Sequence, residues 1–177
     1  MCTPFDIPIT APSGGGGSLP FASVVTQDNT VYTDIPENAT GVLLANFEVL
    51  ITPTSATQKV NLSGVINGEW SMLPLVASIV IYRNGTALAP TSGGTNNQKV
   101  NGQFLINLGV FNHYSQSIET CPFAYTDEPA TTSEIKYEIY LVTAMEGDFH
   151  FNRCISASNN LHHKRMTSSF SAQCFEP

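Results

Sequence analysis

From residue 21 onward, apolar residues recur at every second position in short runs, and clusters of Gly, Asn, Pro and Thr separate the runs. No stretch carries a long apolar stripe of 3.6-residue period. The pattern predicts strands throughout and very little helix. The first strands are expected over 22–26 and 30–35, followed by a turn at Pro36-Glu37-Asn38 and a strong strand over 42–52 that Pro53 closes. Over 58–67, Val60, Leu62, Gly64 and Ile66 share one face while Asn61, Ser63 and Val65 share the other. Over 135–141 the alternation is clean, with Ile135, Tyr137, Ile139 and Leu141 in one row and Lys136, Glu138 and Tyr140 in the other. Further strands are expected over 148–153, after Gly147, and over 167–175, where Ser169, Ser171 and Gln173 oppose Phe170, Ala172 and Cys174.

Two runs depart from half-buried alternation. Over 73–82 and 103–111 both rows are apolar, with Val76, Val80, Leu105 and Phe111 on the second row. Such strands need cover on both sides. A neighbouring subunit is the simplest cover, and closed symmetric assembly is the usual way to supply one. Arg83 is expected just outside the first of these strands, before a hairpin turn at Asn84-Gly85. Residues 89–99 read as an exposed loop and 121–133 as a crossing loop between sheets. About eight to ten strands in this length suit an all-β, two-sheet antiparallel jelly-roll sandwich better than a small barrel.

Residues 1–20 hold four prolines and the Gly14 to Gly17 run, so they are expected as an extended or flexible N-terminal arm rather than core, either an attachment peptide anchored by Phe5, Ile7 and Ile9 or a plain linker. The remaining residues, 21–177, form the jelly-roll domain. With 177 residues in all, a single domain can bury a core without metal or disulfide support. Charged side chains make up only 12% of the chain, and the net charge is -7, which disfavours nucleic acid and anionic lipid as partners. No apolar run approaches the roughly 20 residues of a membrane span. The start lacks the basic and apolar stretch of a secretory signal, so synthesis in the cytosol is expected and the four cysteines, Cys2, Cys121, Cys154 and Cys174, are expected as free thiols. The sequons at Asn38, Asn61 and Asn84 matter only in a secretory lumen.

No catalytic, cofactor-binding or metal-binding residues are expected. His113, His150, His162 and His163 lack ligand spacing, and Cys154, His162, His163 and Cys174 lack the paired half sites of a zinc centre. Asp127-Glu128 is an adjacent pair, read as a solvated loop rather than an acid and base facing across a cleft. Cys121 and Cys154 lack a histidine in a nucleophile motif, and the glycine run lacks the Lys and Ser or Thr of a phosphate loop. His162-His163-Lys164-Arg165 is the one basic cluster, suited to a solvated loop or to docking an acidic neighbour subunit or a surface glycan. Trp70, Tyr82, Tyr114, Tyr125 and Tyr140 are candidate contact aromatics; core or interface filling is the reading for Tyr82 and Tyr140, and Trp70 closes one end of the sandwich.

The order of these signals resembles a known class. The series 47–56 (FEVLITPTSA), 59–64 (KVNLSG) and 81–86 (IYRNGT), then 135–140 (IKYEIY), 149–153 (FHFNR) and 166–173 (MTSSFSAQ), is similar to trimeric jelly-roll heads of the tumour necrosis factor and complement globular-head type, found in phage tail fibres and virus surface proteins. The likeness spans roughly 21–177. It implies a homotrimer without catalytic residues, the 83–86 turn joining two central strands, and the last strand beside the trimer axis. The closing Cys174-Phe175-Glu176-Pro177 departs from the acidic-hydrophobic ending common in such heads.

The expectation is therefore a non-enzymatic virion structural protein: a surface decoration or head protein, assembled in the host cytoplasm and anchored to a capsid or other virion protein through residues 1–20. The alternative is a receptor- or glycan-binding head of a viral or phage fibre, which the absence of a repeat or coiled-coil shaft disfavours.

Overall fold

A computed structural model describes residues 19–35, 38–71, 77–88, 104–106, 118–143, 146–155 and 165–177. These form eleven strands and no helix: β1 (Phe21–Thr26), β2 (Val31–Ile35), β3 (Asn38–Ile51), β4 (Lys59–Trp70), β5 (Ala77–Arg83), β6 (Thr86–Ala87), β7 (Phe104–Ile106), β8 (Glu119–Asp127), β9 (Ile135–Thr143), β10 (Gly147–Phe151) and β11 (Ser168–Phe175). All pairings are antiparallel, in two sheets packed as a sandwich.

The larger sheet is built on β4. One edge of β4 pairs with β8, and the other pairs first with β11 and then with β10. β1 extends the sheet beyond β11, and β2 extends it beyond β10. The smaller sheet runs β3-β9-β5, with β6 and β7 sharing the far edge of β5. Between the sheets lie Val60, Leu62, Ile66, Phe123, Phe149, Phe151 and Phe170 from the first, against Leu44, Phe47, Ile79, Ile81, Tyr137, Ile139 and Leu141 from the second. Burial of these inward rows is the main stabilising term, at roughly 1.5–3 kcal/mol for each large side chain.

Two glycines on β4 fit the inward row because aromatic rings from neighbouring strands occupy the space of a side chain. Gly64 lies in register between Phe170 and Phe123, whose ring centroids are 5.6 Å apart. A Cβ at Gly64 would sit 2.7 Å from Phe123 Cζ, and one at Gly68 would sit 2.7 Å from Phe149 Cε2. Both are far inside van der Waals contact, so any side chain here would overpack the core.

Several expectations change in the folded chain. The stretch expected as a crossing loop over 121–133 contains β8; Cys121, Phe123 and Asp127 turn inward, and Pro122 is tolerated because β8 is an edge strand. Asn38, expected in a turn, begins β3, whose inward residues Leu44 and Phe47 stand three apart because register shifts interrupt its pairing with β9 and Asn46 adopts φ 59°. Arg83 ends β5 rather than lying beyond it, and Gly147 begins β10 rather than breaking the chain before it. Glu138, placed in a solvated row, is buried and bonded to Lys136 at 2.7 Å.

Val80, on the second row of β5, is 2% exposed within the single chain and so needs no second copy to keep it from water. Val76, Phe111 and the side chain of Leu105 lie outside the described residues, as do residues 1–18 of the arm and the loop over 89–99.

Candidate assembly surface

The outward face of the larger sheet is set by the pairing of β11, β4 and β8. Register places Gln173, Asn61 and Thr126 in one rung, Ser171, Ser63 and Ala124 in the next, and Ser169, Val65 and Pro122 in a third. None of these nine positions is charged. A surface with the usual share of charged residues, about 25–35%, would carry two or three there. The hydroxyls of Ser63 and Ser171 lie 3.0 Å apart, and Ser171 Oγ also donates to the Ser63 carbonyl, so this face turns its hydrogen bonds back on itself. Removing it from water therefore desolvates no ion.

Charge begins at the rims. At one end Lys59 pairs with Glu128 at 2.6 Å, and Gln58 donates to Glu176. At the other end Glu69 is buried, with Oε2 accepting the Ile155 N–H at 2.7 Å and Oε1 without a hydrogen-bond partner among the described residues. Burial first, and the nearby Glu119 charge, push the Glu69 carboxyl above its ordinary range against the Ile155 hydrogen bond. His150, opposite Glu69 in register, is held below its ordinary value by burial and then by Arg153, against the pull of Asp148. A carboxyl raised in the folded chain favours folding while protonated and opposes it once the unfolded carboxyl ionises, above about pH 4.3. Glu69→Gln keeps an acceptor for Ile155 and removes the charge. It is expected to raise the melting temperature at pH 7, with the gain shrinking toward about pH 4, as followed by thermal melts across that range.

The sequence candidates fall in different places. Asp127 and Glu128 are adjacent in sequence but separate in role. Asp127 is buried and takes two 2.9 Å contacts from Arg83 Nη1, plus a 2.7 Å hydrogen bond from the Tyr137 hydroxyl. This clamp ties β8 of one sheet to β5 and β9 of the other. Burial and the Asp127 carboxylate push the Tyr137 phenol strongly upward. Sequence reading had no signal for it, because the three residues meet only when the sheets stack.

Cys121, Cys154 and Cys174 are buried, and burial pushes the Cys121 thiol up to about 11, so it is a poor nucleophile at neutral pH. Trp70 is buried at the end of β4 against Phe149, with ring centroids 5.9 Å apart. Tyr82 and Tyr140 are half-buried and stacked, with centroids 4.1 Å apart. Cys2, His113, Tyr114, His162 and His163 lie outside the described residues. Among the described residues no three His, Cys, Asp or Glu side chains are grouped to hold a metal ion, and no helix is long and apolar enough to cross a membrane.

The chain is an all-β, two-sheet antiparallel sandwich. No family model and no curated protein matches it. Solved structures do resemble it. The infectious bursal disease virus VP2 subviral particle matches at 14% identity and a TM-score of 0.42, over 89% of this chain and 38% of that one. The Gx strain of the same virus matches at 15% identity and a TM-score of 0.42, over 98% of this chain and 42% of that one. A mutant VP2 protein of that virus, in derived T=1 particles, matches at 15% identity and a TM-score of 0.44, over 98% of this chain and 40% of that one. The chain thus spans about two fifths of the length of these VP2 chains. A likeness of this degree transfers no role.

Proposed function

We propose that this chain is a non-enzymatic virion structural protein, a surface decoration or head protein that assembles as a homotrimer and is anchored to a capsid or other virion protein through residues 1–20. The observation that carries the reading is the uncharged outward face of β11, β4 and β8. It supplies a surface that associates without ion desolvation, and it centres on the last strand, where the resemblance to trimeric heads places the axis. An obligate trimer of this kind buries more than about 2,000 Å² at its interfaces. The protein then works on the virion surface after assembly in the host cytoplasm.

The test is the mass of the assembled protein by size-exclusion chromatography with light scattering. The native chain is expected at three times its monomer mass. Ser171→Glu, which gathers three carboxylates near the axis, is expected at monomer mass with an unchanged circular dichroism spectrum. A native monomer refutes the trimer; a trimeric Ser171→Glu refutes this face.

A receptor- or glycan-binding head is the second reading. The half-buried Tyr82 and Tyr140 pair beside the Lys136 and Glu138 ion pair favours it, since stacked rings next to a donor and an acceptor suit a sugar. Binding to an immobilised glycan panel would support it.

A further inference from the structure

A sandwich has open sheet edges, and those of this protein are not treated alike. β8 carries Pro122 at its centre and Glu119 and Asp127 at its ends. β3 is interrupted by register shifts and by positive φ at Gly41 and Asn46. β2 is five residues long, has Asp34 at φ 51°, and pairs irregularly with β10. β6 and β7 have two and three residues. Each is a recognised device that blunts an edge against pairing. β1 has none among the described residues: it is six residues long, continuous in register with β11, and free of charge, proline and glycine.

The direction of its free groups follows from one bond. Cys174 N donates to the Pro20 carbonyl, so the 20 and 174 pair is hydrogen-bonded and bonding alternates from there along β1. Ala22, Val24 and Thr26 therefore turn their backbone groups toward β11. Phe21, Ser23 and Val25 turn theirs away from β11, toward an edge that no other strand pairs with among the described residues. These three also have exposed side chains, with Phe21 at 51% and Val25 at 59%.

We propose that β1 is a self-pairing edge, at which a second copy of this chain adds its own β1 antiparallel across a two-fold axis through Ser23. In that register Phe21 faces Val25 of the second copy, Ser23 faces its own equivalent, and Val25 faces Phe21. Every free N–H and C=O of the three residues finds a partner, both ends gain an aromatic and β-branched pair, and no like charges meet. A pairing of this length buries less than the roughly 1,000 Å² of a stable isolated interface, so it is weak between two chains and gains strength when many chains are held together. A closed three-fold and this two-fold are independent contacts, and together they link trimers into a lattice.

The experiment uses the full chain carrying Cys2→Ser and Ser23→Cys, treated with a short bis-maleimide at high protein concentration and read on a denaturing gel. A cross-linked dimer is expected from Ser23→Cys and not from Val24→Cys, whose side chain points inward. Sedimentation of the Ser23→Pro chain, which removes the edge-directed N–H at the axis and adds no charge to the outward row that Ser23 shares with Ser171, is expected to show loss of the higher assembly with the trimer and melting temperature retained. No cross-link from Ser23→Cys, or higher assembly undisturbed by Ser23→Pro, overturns the proposal and leaves the trimer standing. Ser23 neighbours Ser171 in register, so the cross-link is repeated in the Ser171→Glu chain: a link retained there supports the two-fold, and a link lost together with the trimer shows that it crossed the three-fold and overturns the proposal.

Discussion

An Ile139→Asp chain will not fold. Ile139 is at the centre of β9, fully buried, opposite Ile81 on β5, in the row that faces the other sheet. Truncating such a side chain costs about 2–5 kcal/mol in lost burial and cavity. Setting a carboxylate there without a partner adds several kcal/mol or forces it to hold a proton. The combined loss is comparable to the whole stability of an ordinary domain, about 5–15 kcal/mol. The measurement is soluble yield and far-ultraviolet circular dichroism, with Ile139→Val, expected to cost only about 0.5–1.5 kcal/mol, as the control for the site itself. A soluble Ile139→Asp chain that melts at the native temperature would mean that residue 139 faces water.

Asn152→Ala is expected to cost about 3–6 kcal/mol, the largest effect of any single polar substitution proposed for this protein. Asn152 is 1% exposed and sits where β10 ends and the gap before β11 opens along β4. Its Nδ2 donates to the carbonyls of Thr26 at 3.2 Å and Asp28 at 2.8 Å, and its Oδ1 accepts from Ser168 Oγ at 2.6 Å. Its backbone N–H donates to Asn67 O, and its carbonyl accepts from Met166 N. Ser168 Oγ in turn accepts from Asn67 N, and Asn67 Oδ1 accepts from Thr120. One side chain thereby joins β4 to β11 and to the turn after β1. Its loss strands two or three buried groups at about 1–3 kcal/mol each. The residue also holds φ 53°, a left-handed conformation costing roughly 1–2 kcal/mol for most side chains and little for asparagine or glycine. Asn152→Gly should therefore be less harmful than Asn152→Ala by about 1 kcal/mol, the backbone share. Urea unfolding of the three chains measures both numbers; two variants within about 0.5 kcal/mol of native would remove this junction from any account of stability.

The two predictions differ in how they could have been reached. Ile139 is legible from the sequence, because a period-two row fixes which side of a strand enters the core whatever it packs against. The same holds for β11, where the separation of Phe170, Ala172 and Cys174 from Ser169, Ser171 and Gln173 reads directly off the chain. Asn152 was not legible. Within 149–153 it reads as one more strand residue, and its partners are up to 126 positions away. Asp127 failed in the same way: beside Glu128 and Pro129 it looks like a loop acid until β5 and β9 bring Arg83 and Tyr137 to it.

Alternation along the chain by itself determined that this protein is all-β, where most strands lie, and which rows are buried, since burial of apolar side chains is local to each strand and indifferent to the partner. Only the tertiary structure decided which strands are edges, which glycines face rings, and which polar side chains are buried with partners. Each of those depends on what lies across a sheet or between two sheets, and hydrogen bonds, unlike burial, require one particular neighbour at one particular distance and angle.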